Sequence, residues 1–137
     1  MTTKTMNEWA QEICAWGESK GWDMTKCKDG TKPDIRRDFI LGKLALVHSE
    51  ISEAVECVRD DDFAMRIVER LEPAPGLLTA QGETVKPPKP EGMVTELADT
   101  VIRIMHLCGA MGLDLDEAVR VKMEFNAGRP FQHGRKA

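Results

Sequence analysis

The 137-residue sequence contains no tyrosine, and its aromatic residues number only seven, three Trp and four Phe. An interior built with so few rings must be filled by Met, Leu, Val, Ile and Ala, a composition that suits helix packing. No C-x-x-C pair occurs: Cys14, Cys27, Cys57 and Cys108 are scattered, with no His at ligand spacing. That argues against a zinc site or a disulfide frame, and Cys57 and Cys108 read as small, reduced core residues. No apolar run is long and uncharged enough to span a bilayer, since the most apolar stretch, Met93 to Met111, carries Glu96, Asp99 and Arg103. Met1 to Glu12 has no apolar leader segment, so a cytoplasmic protein is expected. Positive charge is also in deficit. A net charge of -4 argues against a protein whose main task is gripping a nucleic-acid backbone. Finally, there is no β-alternating segment of useful length and no internal repeat.

What remains is 42% hydrophobic and 31% charged, the balance of a globular chain, and its length suits one domain over residues 1–137. Four helical segments are expected, and with them an all-α bundle of four to five helices. The first runs from about Lys4 to Ser19 and stops at Gly21, followed by a polar loop from Asp23 to Pro33. The second covers about Asp34 to Asp61, with Leu44, Val47, Ile51, Val55 and Val58 on one face at the helical period. A short helical continuation from Asp62 to Leu71 is expected after it. Residues 72–92 hold five of the seven prolines and read as a long surface connection. The third helix spans about Met93 to Met111 and ends at Gly112. The fourth starts near Asp114 and ends by Gly128-Arg129-Pro130, a Gly-then-Pro stop.

Two carboxylate spacings carry the chemistry. Glu50-Ile-Ser-Glu53 lies along the second helix and Glu96-Leu-Ala-Asp99 near the start of the third. Residues three apart project from one face of a helix, so packing the two helices against each other would gather four carboxylates. Four like charges share a site only around a cation, and hard oxygen donors select Mg²⁺ or Mn²⁺. A single E-x-x-E is usually a solvated face, and Glu53-Ala-Val-Glu56 offers a second match. The third helix tips the balance. Twelve of its nineteen residues are apolar, so an all-round buried helix is expected, with Glu96, Asp99, Arg103 and His106 as one polar stripe. Bare buried carboxylates are costly unless paired or metal-bound, and Arg103 could neutralise one but not all. Iron is disfavoured because di-iron bundles use Glu-x-x-His pairs, which are missing here.

Near the end of the chain, Lys122 and Asn126 share a helix face and Arg129 follows. Such a trio can contact a polyphosphate and a sugar or base edge, although cations at a helix C-terminus also simply complement the dipole. Trp9, Trp16 and Trp22 all precede the second helix. Trp22 is a candidate ring for stacking on a nucleobase, with burial as a core anchor the alternative.

Together these residues resemble the MazG-like branch of the all-α nucleoside triphosphate pyrophosphatases. The resemblance rests on His48-Ser-Glu-Ile-Ser-Glu-Ala-Val-Glu56, on Lys89-Pro-Glu-Gly92 leading into Glu96-Leu-Ala-Asp99, on Lys122-Met-Glu-Phe-Asn126-x-x-Arg129-Pro130, and on Lys20-Gly-Trp22. It implies that Glu50, Glu53, Glu96 and Asp99 hold Mg²⁺, for which Mn²⁺ can substitute. It further implies that Lys122, Asn126 and Arg129 hold the nucleotide, and that the active unit is a dimer or tetramer. The implied reaction converts a (d)NTP and water into (d)NMP and diphosphate, with Glu53 as the expected proton acceptor. Where some relatives carry an extra acid before the first metal ligand, this chain has Ser49. Alternatives are a base-specific hydrolase (for dUTP, dCTP or a guanine nucleotide), phosphoribosyl-ATP hydrolysis, and a non-catalytic helical module that binds metal or nucleotide. No nucleic-acid polymer and no membrane is expected as a partner.

Overall fold

The computed structural model describes residues 3–69 and 87–131. Four α-helices dominate them: α1 (Met6–Ser19), α2 (Pro33–Arg59), α3 (Met93–Met111) and α4 (Leu115–Ala127). A 3-10 turn covers Thr25–Cys27, and two short strands, β1 (Arg66–Val68) and β2 (Lys89–Glu91), complete the described elements. No helix among the described residues is long and apolar enough to cross a membrane.

The helix ends follow from local chemistry. Thr5 caps α1 through a reciprocal box, its hydroxyl accepting from the Glu8 amide while the Glu8 carboxylate accepts from the Thr5 amide at 2.7 Å. Pro33 opens α2, where its missing N–H costs nothing. α2 ends with Asp61 in the left-handed region (φ 52°), the Asp62 amide donating back to the Cys57 carbonyl at 2.9 Å. α3 closes in the same way: Gly112 takes φ 67° and the Leu113 amide reaches the Cys108 carbonyl at 2.9 Å. Asp114 caps α4 by accepting from the Glu117 amide.

Two expectations need correction here. Residues 66–68, expected as part of a helical continuation from Asp62, form β1, and the chain does contain a sheet. β1 pairs antiparallel with β2 in the register Arg66↔Glu91, Ile67↔Pro90 and Val68↔Lys89. Arg66 holds this ribbon through two bonds to the Asp62 carboxylate, at 3.1 and 2.9 Å, and an ion pair with Glu91 at 3.1 Å. Most of the expected Pro-rich connection at 72–92, with the end of the expected continuation, lies outside the described residues.

Contacts divide the chain into two compact units, with α2 and α3 each contributing to both. The first comprises residues 1–44 and 102–137. Its core is Ala10, Ile13 and Met105, with Met6 and Leu115 packed against them. At its edge the N-termini of α1 and α4 cap one another. The Asp116 carboxylate accepts from the Met6 and Asn7 amides at 3.0 Å each, while the Asn7 side-chain oxygen accepts from the Leu115 amide at 3.0 Å. All four cysteines are free, and Cys57 and Cys108 are half-buried rather than core.

The second unit comprises residues 45–101. The chain leaving α2 is tied directly to the start of α3, where the Met93 amide donates to the Asp62 carbonyl (2.8 Å) and the Val94 amide to the Phe63 carbonyl (3.1 Å). Gly92 makes this approach possible. Its φ is 115°, and a Cβ there would sit 2.2 Å from the Ala64 carbonyl oxygen. Apolar burial in this unit is slight. Ala54 is buried, but Ile51, Val55 and Val58 of α2 and Val94, Leu97 and Val101 of α3 are exposed. α3 is therefore not buried all round within a single chain.

Candidate active site

Two helices bring acids together in the second unit. Glu50 extends from α2, and Glu96 and Asp99 extend from α3 a turn apart. Each offers a carboxylate oxygen lying within 4.8 Å of the others. Glu50 is only 8% exposed, Glu96 is half-buried and Asp99 is exposed, so the cluster runs from the interior to the surface. The fourth expected ligand, Glu53, lies on the exposed side of α2 and is hydrogen-bonded to Glu96 instead of standing in the three-residue group.

Electrostatics follow from this crowding. The Glu96 carboxyl holds its proton above the ordinary carboxylate range, first because it is partly buried, then because of its hydrogen bond with Glu53 and the negative charges of Glu53 and Asp99. Lys89 opposes the shift only weakly. Carboxylates gathered in this way could hold a divalent cation. The donors are all carboxylate oxygens, a hard set of the kind Mg²⁺ and Mn²⁺ prefer. Ser49, where an additional acid would stand, turns its hydroxyl back to the Leu46 carbonyl at 2.6 Å.

The cationic residues lie on α4 in the first unit. The Lys122 ammonium is 5.1 Å and the Arg129 guanidinium 5.4 Å from the centroid of the Phe125 ring, so both gather around one aromatic side chain. Neither is in an ion pair among the described residues, whereas Arg120 is saturated by Glu117 and Glu124, both at 2.6 Å. Asn126 is half-buried between Lys122 and Arg129 in sequence, and its carbonyl accepts from the Arg129 amide at 3.1 Å. Residues 132–137, which include Arg135 and Lys136, lie outside the described residues.

Trp22 is half-exposed and lines a cleft in the first unit together with Glu18, Lys28 and His106. The Lys43 ammonium lies 5.5 Å from the Trp22 ring centroid. The Trp22 amide donates to the Gly17 carbonyl at 2.9 Å, which fixes the backbone beside the ring. Sequence reasoning placed His106 only in a polar stripe and gave Glu18 and Lys28 no role. Their sole signal was proximity to Lys20-Gly-Trp22 on either side. Comparison with protein families, curated proteins and solved structures returns no match for this chain.

Proposed function

We propose that the chain is a divalent-metal-dependent nucleoside triphosphate pyrophosphohydrolase of the MazG-like, all-α bundle kind, converting (d)NTP and water into (d)NMP and diphosphate. The observation that carries this reading is the convergence of Glu50, Glu96 and Asp99 from two helices, with oxygens within 4.8 Å of one another. These three would hold the cation, with Glu53 adjoining through Glu96. A bound Mg²⁺ supplies charge neutralisation at phosphate oxygens and acidity for a coordinated water.

The chain's own residues account for the rest. In this reading the water oxygen bonds to the α-phosphorus as the bond from that phosphorus to the bridging oxygen of the β-phosphate breaks. The water's proton passes to Glu53, whose carboxylate is open to solvent. Lys122 and Arg129, with no competing ion pair among the described residues, provide the positive charge that holds phosphate oxygens. Asn126 offers an amide to the sugar or base edge, and Trp22 a ring face to the base.

The exposed apolar residues of the second unit support self-association as a dimer or tetramer, because a lone chain would leave this surface against water. The hydroxyl at Ser49, which is no base, favours one alternative, a helical module that binds metal and nucleotide without turnover. Pyrophosphate release from a panel of NTPs and dNTPs with Mg²⁺ separates the two. Release that EDTA abolishes supports the hydrolase, and the lack of release from every nucleotide leaves the binding module.

A further inference from the structure

The cleft beside Trp22 has a volume of about 510 Å³, enough for a nucleoside. Its walls are unusually specified for a surface feature. The His106 imidazole rests directly on the backbone of α1 at Gly17, where a Cβ would lie 2.9 Å from its Cε1 and 3.0 Å from its Nε2. Partial burial, and then the charges of Lys43 and Arg103, lower that imidazole's affinity for a proton, which makes it a poor grip for an anion. Trp22 presents an indole with Lys43 across it, a platform on which a flat heteroaromatic ring can stack.

The polar groups then narrow the choice of ring. Of the two acids lining the cleft, Asp23 is spent on the Thr25 amide at 2.9 Å. The Glu18 carboxylate has no partner among the described residues. Lys28 adds an ammonium to the same lining. A carboxylate accepts two parallel N–H donors best, and among the nucleobases only guanine sets a ring N–H beside an exocyclic amine, with a carbonyl oxygen next along the same edge. Adenine and cytosine offer an exocyclic amine without the adjacent ring N–H. Uracil and thymine offer one N–H between two carbonyls.

We propose that this cleft takes the guanine ring of a guanine nucleotide, stacked on Trp22, with Glu18 accepting from N1 and N2 and Lys28 donating to O6. The assignment concerns the cleft of the first unit alone and goes beyond the hydrolase reading. Binding itself does not depend on it. The test is calorimetric titration of the full chain with guanosine, adenosine, cytidine and uridine in EDTA, where no turnover occurs. Guanosine should bind about tenfold or more tightly than the others, and Glu18→Gln should lower its affinity about tenfold, the scale of one charge-assisted hydrogen-bonded pair. Trp22→Ala should weaken all four nucleosides, and Trp22→Phe should restore stacking.

Equal affinity for the four nucleosides, no binding of guanosine, or guanosine binding indifferent to both Glu18→Gln and Trp22→Ala overturns the assignment. Selective guanosine binding without hydrolysis of any triphosphate keeps the cleft and removes the hydrolase.

Discussion

Replacing Glu96 by Gln perturbs the carboxylate cluster at its centre while preserving shape, since the amide can still donate to Glu53. Glu50, Glu96 and Asp99 offer oxygens within 4.8 Å of one another, and at that separation each like-charge contact costs about 1 kcal/mol in water and about 3 kcal/mol at the effective dielectric of a protein surface. Solvent screening at the exposed Asp99 relieves some of this, so we expect the metal-free variant to gain roughly 1–3 kcal/mol, or about 4–12 °C in melting temperature. Metal should reverse the order. Mg²⁺ at a hundred times its dissociation constant stabilises the wild type by about 2.7 kcal/mol through mass action, and the variant, short of one anionic ligand, should lose most of that gain. Thermal unfolding of both proteins, in EDTA and over a Mg²⁺ series, reads both effects at once. A variant that melts at or below the wild type in EDTA, or that gains as much from Mg²⁺, refutes the reading of these acids as a strained cation site.

The proton on Glu96 gives a pH dependence of defined sign. Its folded carboxyl binds the proton more tightly than the unfolded one, so metal-free stability should fall as pH rises from the ordinary carboxylate range into the raised one, and Mn²⁺ affinity should climb over the same window. Chemical denaturation and Mn²⁺ titration across pH 4 to 8 check both trends. Arg129→Ala should lower kcat/KM by about 30-fold or more, whereas Arg120→Ala, whose charge is spent on Glu117 and Glu124, should have little effect; equal effects would mark the end of α4 as a solvated face. Gly92→Ala should cost more than about 3 kcal/mol in urea denaturation, because it combines a strained φ with a 2.2 Å approach to Ala64, and a loss under 1 kcal/mol would show that the turn yields. Sedimentation at micromolar concentration should report a dimer or tetramer, and a 15.3 kDa monomer would count against assembly through α2 and α3.

Much of the helical framework was legible because its signals are local. Met93 to Met111 was bounded by Gly112 at its end, and α4 by Asp114 and Gly128, each acting through bonds within a few residues. β1 was not legible. Residues 66–68 carry no helix breaker, but Asp61 ends α2 in a left-handed turn, and the partner that draws Arg66 into a strand is Glu91, twenty-five positions away. The acid pairs were legible as helix faces, since spacing alone sets which residues share a face. Their convergence depends on the tie between Asp62 and Met93, which no spacing encodes. Nor does periodicity reveal whether an apolar face meets its own chain. Leu97 and Val101 carry the pattern of a buried helix yet are exposed here. The cleft at Trp22 was hidden for a related reason, since Glu18, Lys28 and His106 come from three separate segments.

The second unit thus combines two features that are each costly. It holds Glu50 almost out of water while burying little apolar surface of its own. Ile51 and Val55 follow the acids of α2, and Leu97 and Val101 those of α3, at spacings that turn them to a different side of each helix. In the proposed assembly, a second copy covering these apolar residues would therefore leave the acids open to water and to a cation. The ties at Gly92, Asp62 and Arg66 fix the start of α3 against the end of α2, so that a cation in the proposed site would not have to order those backbones itself. On this physics the acids and the apolar residues are separate faces of the same two helices, and metal binding and self-association should respond separately to Mg²⁺ and to dilution.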